Sequence, residues 1–293
     1  MQGVDWRIIA AFAVIYLVWG STYLANFWAI ATIPPFIMGG VRFLTAGSLL
    51  YAYTLTYDRS PPTRRQVRNA AGIGFLFLTC GTGTVVWAEQ FIDTSLVALL
   101  IAFEPLLIML LLWALLGSRP SRMAWVGAGV SIVGVCLLVG QPRISGTPES
   151  LLGLAAILFG MACWAVGSIY IGRLDMGKNR FRATAMQMLT AGVTLLLISL
   201  PLQEWDGFAW PQVSLTSWLC LIYLIFFGAI LAFSCFNFLL SRVSPEKVAT
   251  STYVNPVVAL LLGVSLNNEA LTVAAVVAGA LMLTGVWFIN SAR

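Results

Sequence analysis

Long runs of apolar residues fill most of the chain, and short polar stretches separate them. A helix that crosses a bilayer needs about 20 consecutive, mostly apolar residues. Ten runs approach this length and predict helices at about residues 7–28, 35–57, 69–91, 94–116, 122–140, 151–173, 181–202, 215–241, 246–266 and 271–290. The stretches between them are too short to hold a soluble catalytic or nucleotide-binding domain. The pattern therefore predicts an all-α polytopic membrane protein with ten transmembrane helices.

Composition supports this interpretation and excludes several classes of site. The 293 residues are 60% hydrophobic and only 9% charged, with a mean hydropathy of +0.92, whereas soluble domains carry about 25% charged residues. The chain has no His, so it contains neither an H-E-x-x-H zinc motif nor a Ser–His or Cys–His catalytic pair. Its five cysteines fall inside apolar runs without C-x-x-C spacing, which favours packing roles. We expect no metal and no cofactor.

The basic residues predict the orientation of the chain in the membrane. If the ten spans alternate, 14 of the 16 Lys and Arg residues lie on one side, Arg143 lies alone on the other, and Arg42 lies inside a helix. Positive residues accumulate on the cytoplasmic side of membrane proteins. Both termini are therefore predicted to be cytoplasmic. The basic pI near 9.1 then follows from topology and from attraction to anionic lipids, and no nucleic-acid partner is needed to explain it.

An internal repeat divides the chain into two halves. Residues 94–107, which contain Glu104-Pro105, align with residues 245–258, which contain Asn255-Pro256, at an offset of 151. A second similarity, at an offset of 147, joins residues 20–23 to residues 167–170. The halves, 1–140 and 141–293, hold five predicted helices each. Because five is odd, the second half starts on the opposite face, which predicts two inverted repeats around a central cavity.

The repeated segments also resemble a known family. Trp19-Gly20-Ser21, Arg42 shortly after Pro34-Pro35, and the small residues before proline in the fourth and ninth helices resemble the ten-helix, EamA-type branch of the drug/metabolite transporter superfamily. Within it, the chain is most similar to bacterial YddG-type amino-acid exporters. Where the family usually has Gly-Glu after these two helices, this chain has Gly117-Ser118 and Asn268-Glu269. The resemblance implies a cavity reached alternately from each side, no cofactor, and a bacterial cytoplasmic (inner) membrane.

Charged residues inside the predicted spans are candidates for function. They are Arg42, Glu89 and Glu104, and charges at such positions usually face a bundle interior or a wet cavity. At 1.5 Å per residue, Glu104 lies about 15 Å and Arg42 about 10 Å from the outer ends of their helices. Two alternatives stay open: a structural ion pair between Arg42 and Glu104, or a role for them in binding substrate or protons. Glu89, close to the interface, is expected to be solvated.

Prolines and aromatic residues place the predicted cavity near the middle of the membrane. Pro105 and Pro256 fall near the middle of repeat-related helices, where each would free backbone carbonyls for water or a polar ligand, although simple kinks are the alternative. Trp19 and Trp164 lie too deep to serve as interfacial anchors. The predicted substrate-cavity residues are Trp19, Ser21, Tyr23, Thr79, Thr82, Trp87, Glu104, Trp164, Ser168, Asn237, Tyr253 and Asn255. The small polar members could instead bond the backbone of their own helices.

These features favour a secondary transporter. We expect it to export amino acids, including aromatic ones, or related small metabolites across the cytoplasmic membrane by alternating access, with the bilayer and a small-molecule substrate as partners and proton coupling left open. An intramembrane lipid-modifying enzyme is the alternative from another class, and a drug, other-metabolite or lipid carrier is the alternative among transporters. Such an enzyme needs clustered carboxylates or His at the membrane surface, whereas Asp5, Asp58, Asp175 and Glu246 are scattered along the chain.

Overall fold

The computed structural model describes residues 5–92, 97, 100–139, 147–267 and 272–291. Within these residues no strand occurs, as expected for an all-α protein. The long helices are α1 (Trp6–Ile30), α2 (Pro35–Leu55), α3 (Arg64–Ala88), α4 (Glu104–Leu116), α5 (Arg122–Val139), α6 (Pro148–Tyr170), α7 (Arg180–Ser199), α8 (Leu215–Leu240), α9 (Ser251–Asn267) and α10 (Val273–Ser291).

Six of these helices are long and apolar enough to cross a membrane. They are α1, α3, α6, α7, α8 and α10, and α4 and α5 are shorter apolar helices. The prediction of a helical membrane protein is thus confirmed, whereas the count of ten spans stays a prediction. Much of the predicted fourth span before Glu104, the boundary between the halves at 140–146, and Asn268-Glu269 lie outside the described residues.

The contacts between helices recur with a period of five. α1 packs on α8 and α9, and α6 packs on α3 and α4 in the same way. α2 packs on α8 as α7 packs on α3, and the remaining large contacts join α2 to α7 and α5 to α10. If five is added to both helix numbers of a contacting pair, with α1 following α10, the result is again a contacting pair of this set.

Small residues allow close approach at the contacts between α2 and α7 and between α5 and α10. Between α2 and α7, a Cβ on Gly47 would lie 2.8 Å from the backbone nitrogen of Leu189, and one on Gly192 would lie 2.5 Å from that of Leu44. Between α5 and α10, a Cβ on Gly127 would lie 2.6 Å from the carbonyl oxygen of Gly285. Such stripes are typical of helix contacts in membranes, where backbone proximity replaces the hydrophobic effect.

α3 and α8 each contain a π-helical segment. The segments span Phe75–Gly83 in α3 and Leu224–Phe233 in α8. A π-helix shifts the hydrogen bonds by one residue, which re-aims side chains and frees carbonyl groups, and such segments often mark functional sites. Here Thr82 and Phe233 at or near the ends of these segments line the main cavity.

Polar contacts fasten α2 to α7 at both ends. Arg182, only 4% exposed, donates to the carbonyl oxygens of Asp58 and Ser60 and forms an ion pair with the Asp58 carboxylate at 3.3 Å. Hydrogen bonds from Ser60 and Asn179 lower the pKa of Asp58 to about 2. At the other end, the Glu204 carboxylate accepts hydrogen bonds from the first amides of α2.

Candidate functional site

A cavity that both halves of the chain line lies within the helical bundle. Its walls come from α1, α2, α3, α4, α6, α8 and α9. Three features of it bear on function: charges without partners, an aromatic end, and broken helices along its wall.

All three charges of the predicted spans line this cavity. Arg42 and Glu104 are 5% and 6% exposed, and Glu89 is half-buried. Glu89 therefore lines the cavity, and the expectation that it lies solvated near the interface stays a prediction. Glu89 at the C-terminal end of α3, Glu104 of α4 and Arg42 of α2 thus line the same cavity.

Arg42 is held by neutral neighbours. Its Nη1 donates to Oδ1 of Asn26 at 3.3 Å, and its guanidinium carbon lies 4.9 Å from the centre of the Phe43 ring. Gly228 on α8 leaves room for it, since a Cβ there would lie 2.7 Å from Nη2. Arg42 thus keeps its position without a carboxylate partner.

Arg42 and Glu104 do not form the ion pair that was one of our two alternatives. Among the described residues, an ion pair joins Arg182 to Asp58 and none joins Arg42 to an acid. Nε of Arg42, Oε1 of Glu104 and Oδ1 of Asn255 are buried without a hydrogen-bond partner. Buried polar groups are normally satisfied, so these three atoms need water or a ligand in the cavity.

Five aromatic side chains pack together at one end of the cavity, and four of them line it; we call them the aromatic cluster. The edge of Trp19 meets Trp164 with ring centres 5.9 Å apart. Phe236 lies 5.0 Å from Trp19, and Phe77 lies 4.7 Å from Trp164. Phe233 completes the cluster against Phe236 and Phe77. The phenylalanines are almost fully buried, so the cluster closes the cavity at this end.

Broken helices supply part of the wall. α4 begins at Glu104, directly after a turn at residues 102 and 103, and α9 begins at Ser251, after a turn at residues 249 and 250. Pro105 therefore lies in the first turn of a helix, where proline is tolerated, and not in its middle as predicted. Pro256 does lie inside its helix. Breaks in membrane helices occur where backbone lines a cavity.

The cavity brings together about half of the predicted site residues. They are Trp19, Tyr23, Thr82, Glu104, Trp164 and Asn255, together with Arg42. The sequence had given no reason to select Asn26, Phe43, Phe233, Phe236, Ser251 or Thr252, which line it as well. Helical spacing could have found Asn26, because it lies three residues after Tyr23 and seven after Trp19 on one face of α1.

Five predicted residues do not line the central cavity. The Ser21 hydroxyl bonds that of Tyr223 at 2.6 Å, and Thr79 bonds Thr194 at 2.6 Å. Trp87 packs on Phe91 with ring centres 4.9 Å apart. The other two, Ser168 and Tyr253, are buried, and Tyr253 packs among apolar residues of α4, α5 and α10.

Asn237 also lies outside the central cavity. It follows Phe236 by one residue, and this step of about 100° around the helix turns it away from the aromatic cluster. It bonds Thr184 and Gln187 of α7 and lines a second cavity.

Comparison with known proteins identifies the family. The EamA-like transporter family matches residues 6–140 and again 151–291. The chain is 37% identical to the inner membrane transporter YedA of Escherichia coli K12, over 90% of this chain and 84% of YedA. It is 22% identical to the transporter YvbV of Bacillus subtilis 168, over 97% of this chain and 92% of YvbV.

A solved crystal structure has the same fold. It matches with a TM-score of 0.77 at 22% identity and covers 96% of this chain and 95% of its own. The apolar helices, the central cavity and both family matches lead to one conclusion: this chain belongs to the EamA-like transporter family, within the drug/metabolite transporter superfamily, and is a membrane transporter rather than an enzyme.

Proposed function

We propose that the protein is a secondary transporter that exports amino acids, including aromatic ones, or similar small metabolites across the inner membrane. The observation that carries this proposal is the central cavity with a cation and two carboxylates that do not pair with one another. A zwitterion supplies the missing partners: its carboxylate suits Arg42, and its ammonium group suits Glu104 and Oδ1 of Asn255. Charge-assisted hydrogen bonds of this kind are the strong ones.

The aromatic walls fit the side chain of such a substrate. Trp19, Trp164 and Phe236 offer large apolar faces beside the polar groups. Ligand sites typically combine apolar walls with a few placed polar groups. An amphipathic metabolite with one apolar end and one charged end therefore suits this cavity better than a uniformly polar solute does.

The proposal includes ten spans in two inverted halves that move by alternating access. The recurrence of helix contacts after five helices and the family match to each half support this architecture. Glu89, predicted near the outer surface, lines the cavity, while the aromatic cluster closes its other end. The present conformation is then open toward the outside, and the substrate reaches it from the cytoplasm after the cluster separates.

Uptake or exchange in liposomes tests the proposal. Purified protein is reconstituted, and counterflow of labelled L-phenylalanine, L-leucine and L-glutamate is measured with and without a pH gradient. We expect counterflow of at least one amino acid, loss of it in Arg42→Gln, and little change in the matched control Arg7→Gln, whose side chain lies at the start of α1. Folded protein that exchanges no amino acid would overturn the proposed substrate class, and the response to the pH gradient decides proton coupling.

A further inference from the structure

A second cavity, separate from the first, lies where α7 and α8 meet the segment between α6 and α7. Buried amide and hydroxyl groups form its deep end, and Asp175 and Arg180 lie at its exposed side. Nothing in the proposed central site uses these groups.

The deep end holds a hydrogen-bond acceptor without a donor. Nδ2 of Asn237 donates to Oγ1 of Thr184 and to Oε1 of Gln187, both at 3.0 Å. Both protons of this amide nitrogen are thereby used, and Oδ1 of Asn237 is buried with no partner. Asn237 is only 9% exposed and lines the cavity. A ligand that carries an N–H or ammonium donor would satisfy this oxygen.

The exposed side of the cavity carries one charge of each sign. Oδ1 of Asp175 accepts the backbone N–H of Gly177 at 3.0 Å, which fixes the carboxylate on the loop. The Arg180 side chain is exposed at the start of α7. Apolar side chains of Ile171, Leu174 and Leu240 complete the lining. The set matches a molecule with an ammonium group, a carboxylate and an apolar portion.

The aromatic cluster stands between the two cavities. Trp164 of α6 lines the central cavity, and Ile171, the first residue after α6 and seven residues farther along the chain, lines the second one. On α8, Phe236 lines the central cavity and the adjacent Asn237 lines the second. A molecule in the second cavity therefore has to pass the cluster to reach the centre.

We propose that the second cavity is a binding site for small zwitterions, in which the ammonium group bonds Oδ1 of Asn237 and the carboxylate pairs with Arg180. It serves as a loading site from which substrate passes the aromatic cluster. The loading role rests on the proposed transport function, whereas the binding of a zwitterion does not.

Thiol protection tests the two cavities separately. In a background with all five cysteines replaced, Ser241→Cys reports on the second cavity and Thr252→Cys on the central one, since each residue lines only that cavity. The rate at which a maleimide labels each cysteine is measured in the presence of L-phenylalanine, 3-phenylpropionate or phenethylamine. We expect L-phenylalanine to slow labelling of Ser241→Cys, and the two analogues, which lack one charge each, to protect only at concentrations about tenfold higher or more.

Variants assign the protection to the proposed groups. Asn237→Leu and Arg180→Gln should each raise the L-phenylalanine concentration needed at Ser241→Cys about tenfold or more. Arg173→Gln, an exposed arginine nearby that does not line the cavity, should change nothing. Asn26→Leu should change the protection of Thr252→Cys by L-phenylalanine and leave that of Ser241→Cys unchanged. If Asn237→Leu does not fold, Arg180→Gln, an exposed change, still tests the proposal.

The outcomes separate this proposal from the proposed function. Protection of Thr252→Cys without any at Ser241→Cys would overturn the second site and leave the proposed function standing. Equal protection by all three compounds, or protection that survives both variants, would also overturn it. Protection at Ser241→Cys by a protein that exchanges no amino acid would retain the zwitterion site and overturn its loading role.

Discussion

Four residues of α1, Trp19, Thr22, Tyr23 and Asn26, show how single positions build the cavity wall. Thr22, Tyr23 and Asn26 follow Trp19 by three, four and seven residues, and residues at these spacings share one face of a helix. All four therefore line the central cavity. Ser21 lies between them in sequence but faces α8, where it bonds Tyr223. A side chain thus belongs to the site through its angular position on the helix as much as through its chemistry.

Glu104→Gln should leave the folded yield unchanged and weaken amino-acid binding about tenfold or more. Glu104 has no ion-pair partner in the part of the chain that the structure describes. Neutralising it therefore leaves no cation there newly unpaired, whereas a bound ammonium group loses a charged acceptor. Size-exclusion yield and the concentration dependence of counterflow measure the two effects. Glu149→Gln, in the exposed first turn of α6, is the control.

The double variant checks the alternative to this interpretation. A low yield of Glu104→Gln that Arg42→Gln restores would show that the two residues pair, because removal of both partners of a buried ion pair costs less than removal of one. Since Arg42 bonds Asn26 instead, we expect no rescue.

Trp19→Ala and Trp164→Ala should lower transport while expression persists. Their rings meet at 5.9 Å and line the cavity, so either truncation removes apolar wall and loosens the aromatic cluster. Counterflow per milligram of folded protein measures the loss, and Trp6→Ala, at a ring that is 70% exposed, is the control. Wild-type counterflow by both cavity variants would contradict the aromatic wall.

At the scale of elements, close helix contacts depend on glycine and on caps. Gly285 of α10 lies against Gly127 and Ser131 of α5, and Oγ of Ser131 donates to the carbonyl oxygen of Met282 at 3.1 Å. The small residues Gly127 and Ser131 therefore serve a contact between two helices of one chain. At the start of α2, a carboxylate from the α7–α8 connection, Glu204, takes the place of a local N-cap side chain.

Gly285→Ala should destabilise the protein by about 1–3 kcal/mol, the usual cost of overpacking a tight contact. Its Cβ would overlap the hydroxyl of Ser131 and the carbonyl oxygen of Gly127, and the backbone atom cannot rotate away. Gly129→Ala on α5 is the matched control, because a Cβ there meets nothing within 4 Å. Thermal unfolding in detergent compares them, and equal melting temperatures would disprove the contact.

Glu204→Ala should lower stability by about 1 kcal/mol, as loss of a helix cap does. The carboxylate accepts hydrogen bonds from the amides of Phe36 at 3.1 Å and Ile37 at 2.9 Å, and alanine would leave both amides at the start of α2 without this acceptor. Asp206→Ala changes an acid in the same connection that has no capping role. If both variants melt together with the wild type, the cap contributes nothing measurable.

At the scale of the whole molecule, the period of five among helix contacts agrees with the repeat seen in the sequence. Gly134 and Gly285 are equivalent in that repeat, and they occupy reciprocal places between α5 and α10: Gly134 faces Ala278, and Gly285 faces Gly127. The offset of 151 that relates Gly134 to Gly285 also relates Gly127 to Ala278. Such reciprocity is what a two-fold relation between halves produces.

Cysteine labelling from outside intact cells should reach positions near Glu149 and Asp206 and should not reach positions near Arg65 or Arg180. The reason is the positive-inside rule, since the predicted cytoplasmic side carries 14 of the 16 basic residues. Permeabilised cells provide the control in which all four positions react. Labelling near Arg65 or Arg180 in intact cells would contradict the ten-span topology with cytoplasmic termini.

The sequence by itself determined the class of molecule and the chemistry available to it. Long apolar runs leave a membrane helix as the outcome, because lipid cannot satisfy exposed backbone polar groups. The same reasoning identified Arg42 and Glu104 as functional candidates, since a charge costs too much inside the membrane to persist without use.

Only the tertiary structure decided which of these groups meet. Arg42 donates a hydrogen bond to Asn26 and does not pair with Glu104. Glu89 lines the central cavity, and Asn237 lines the second one. The break before Glu104 and the π segments of α3 and α8 set the rotation of the helix faces. Apolar spans carry little amphipathic signal, because lipid and protein neighbours are equally apolar. The face that each helix turns inward is therefore fixed by close packing between backbones, which no single run of sequence records.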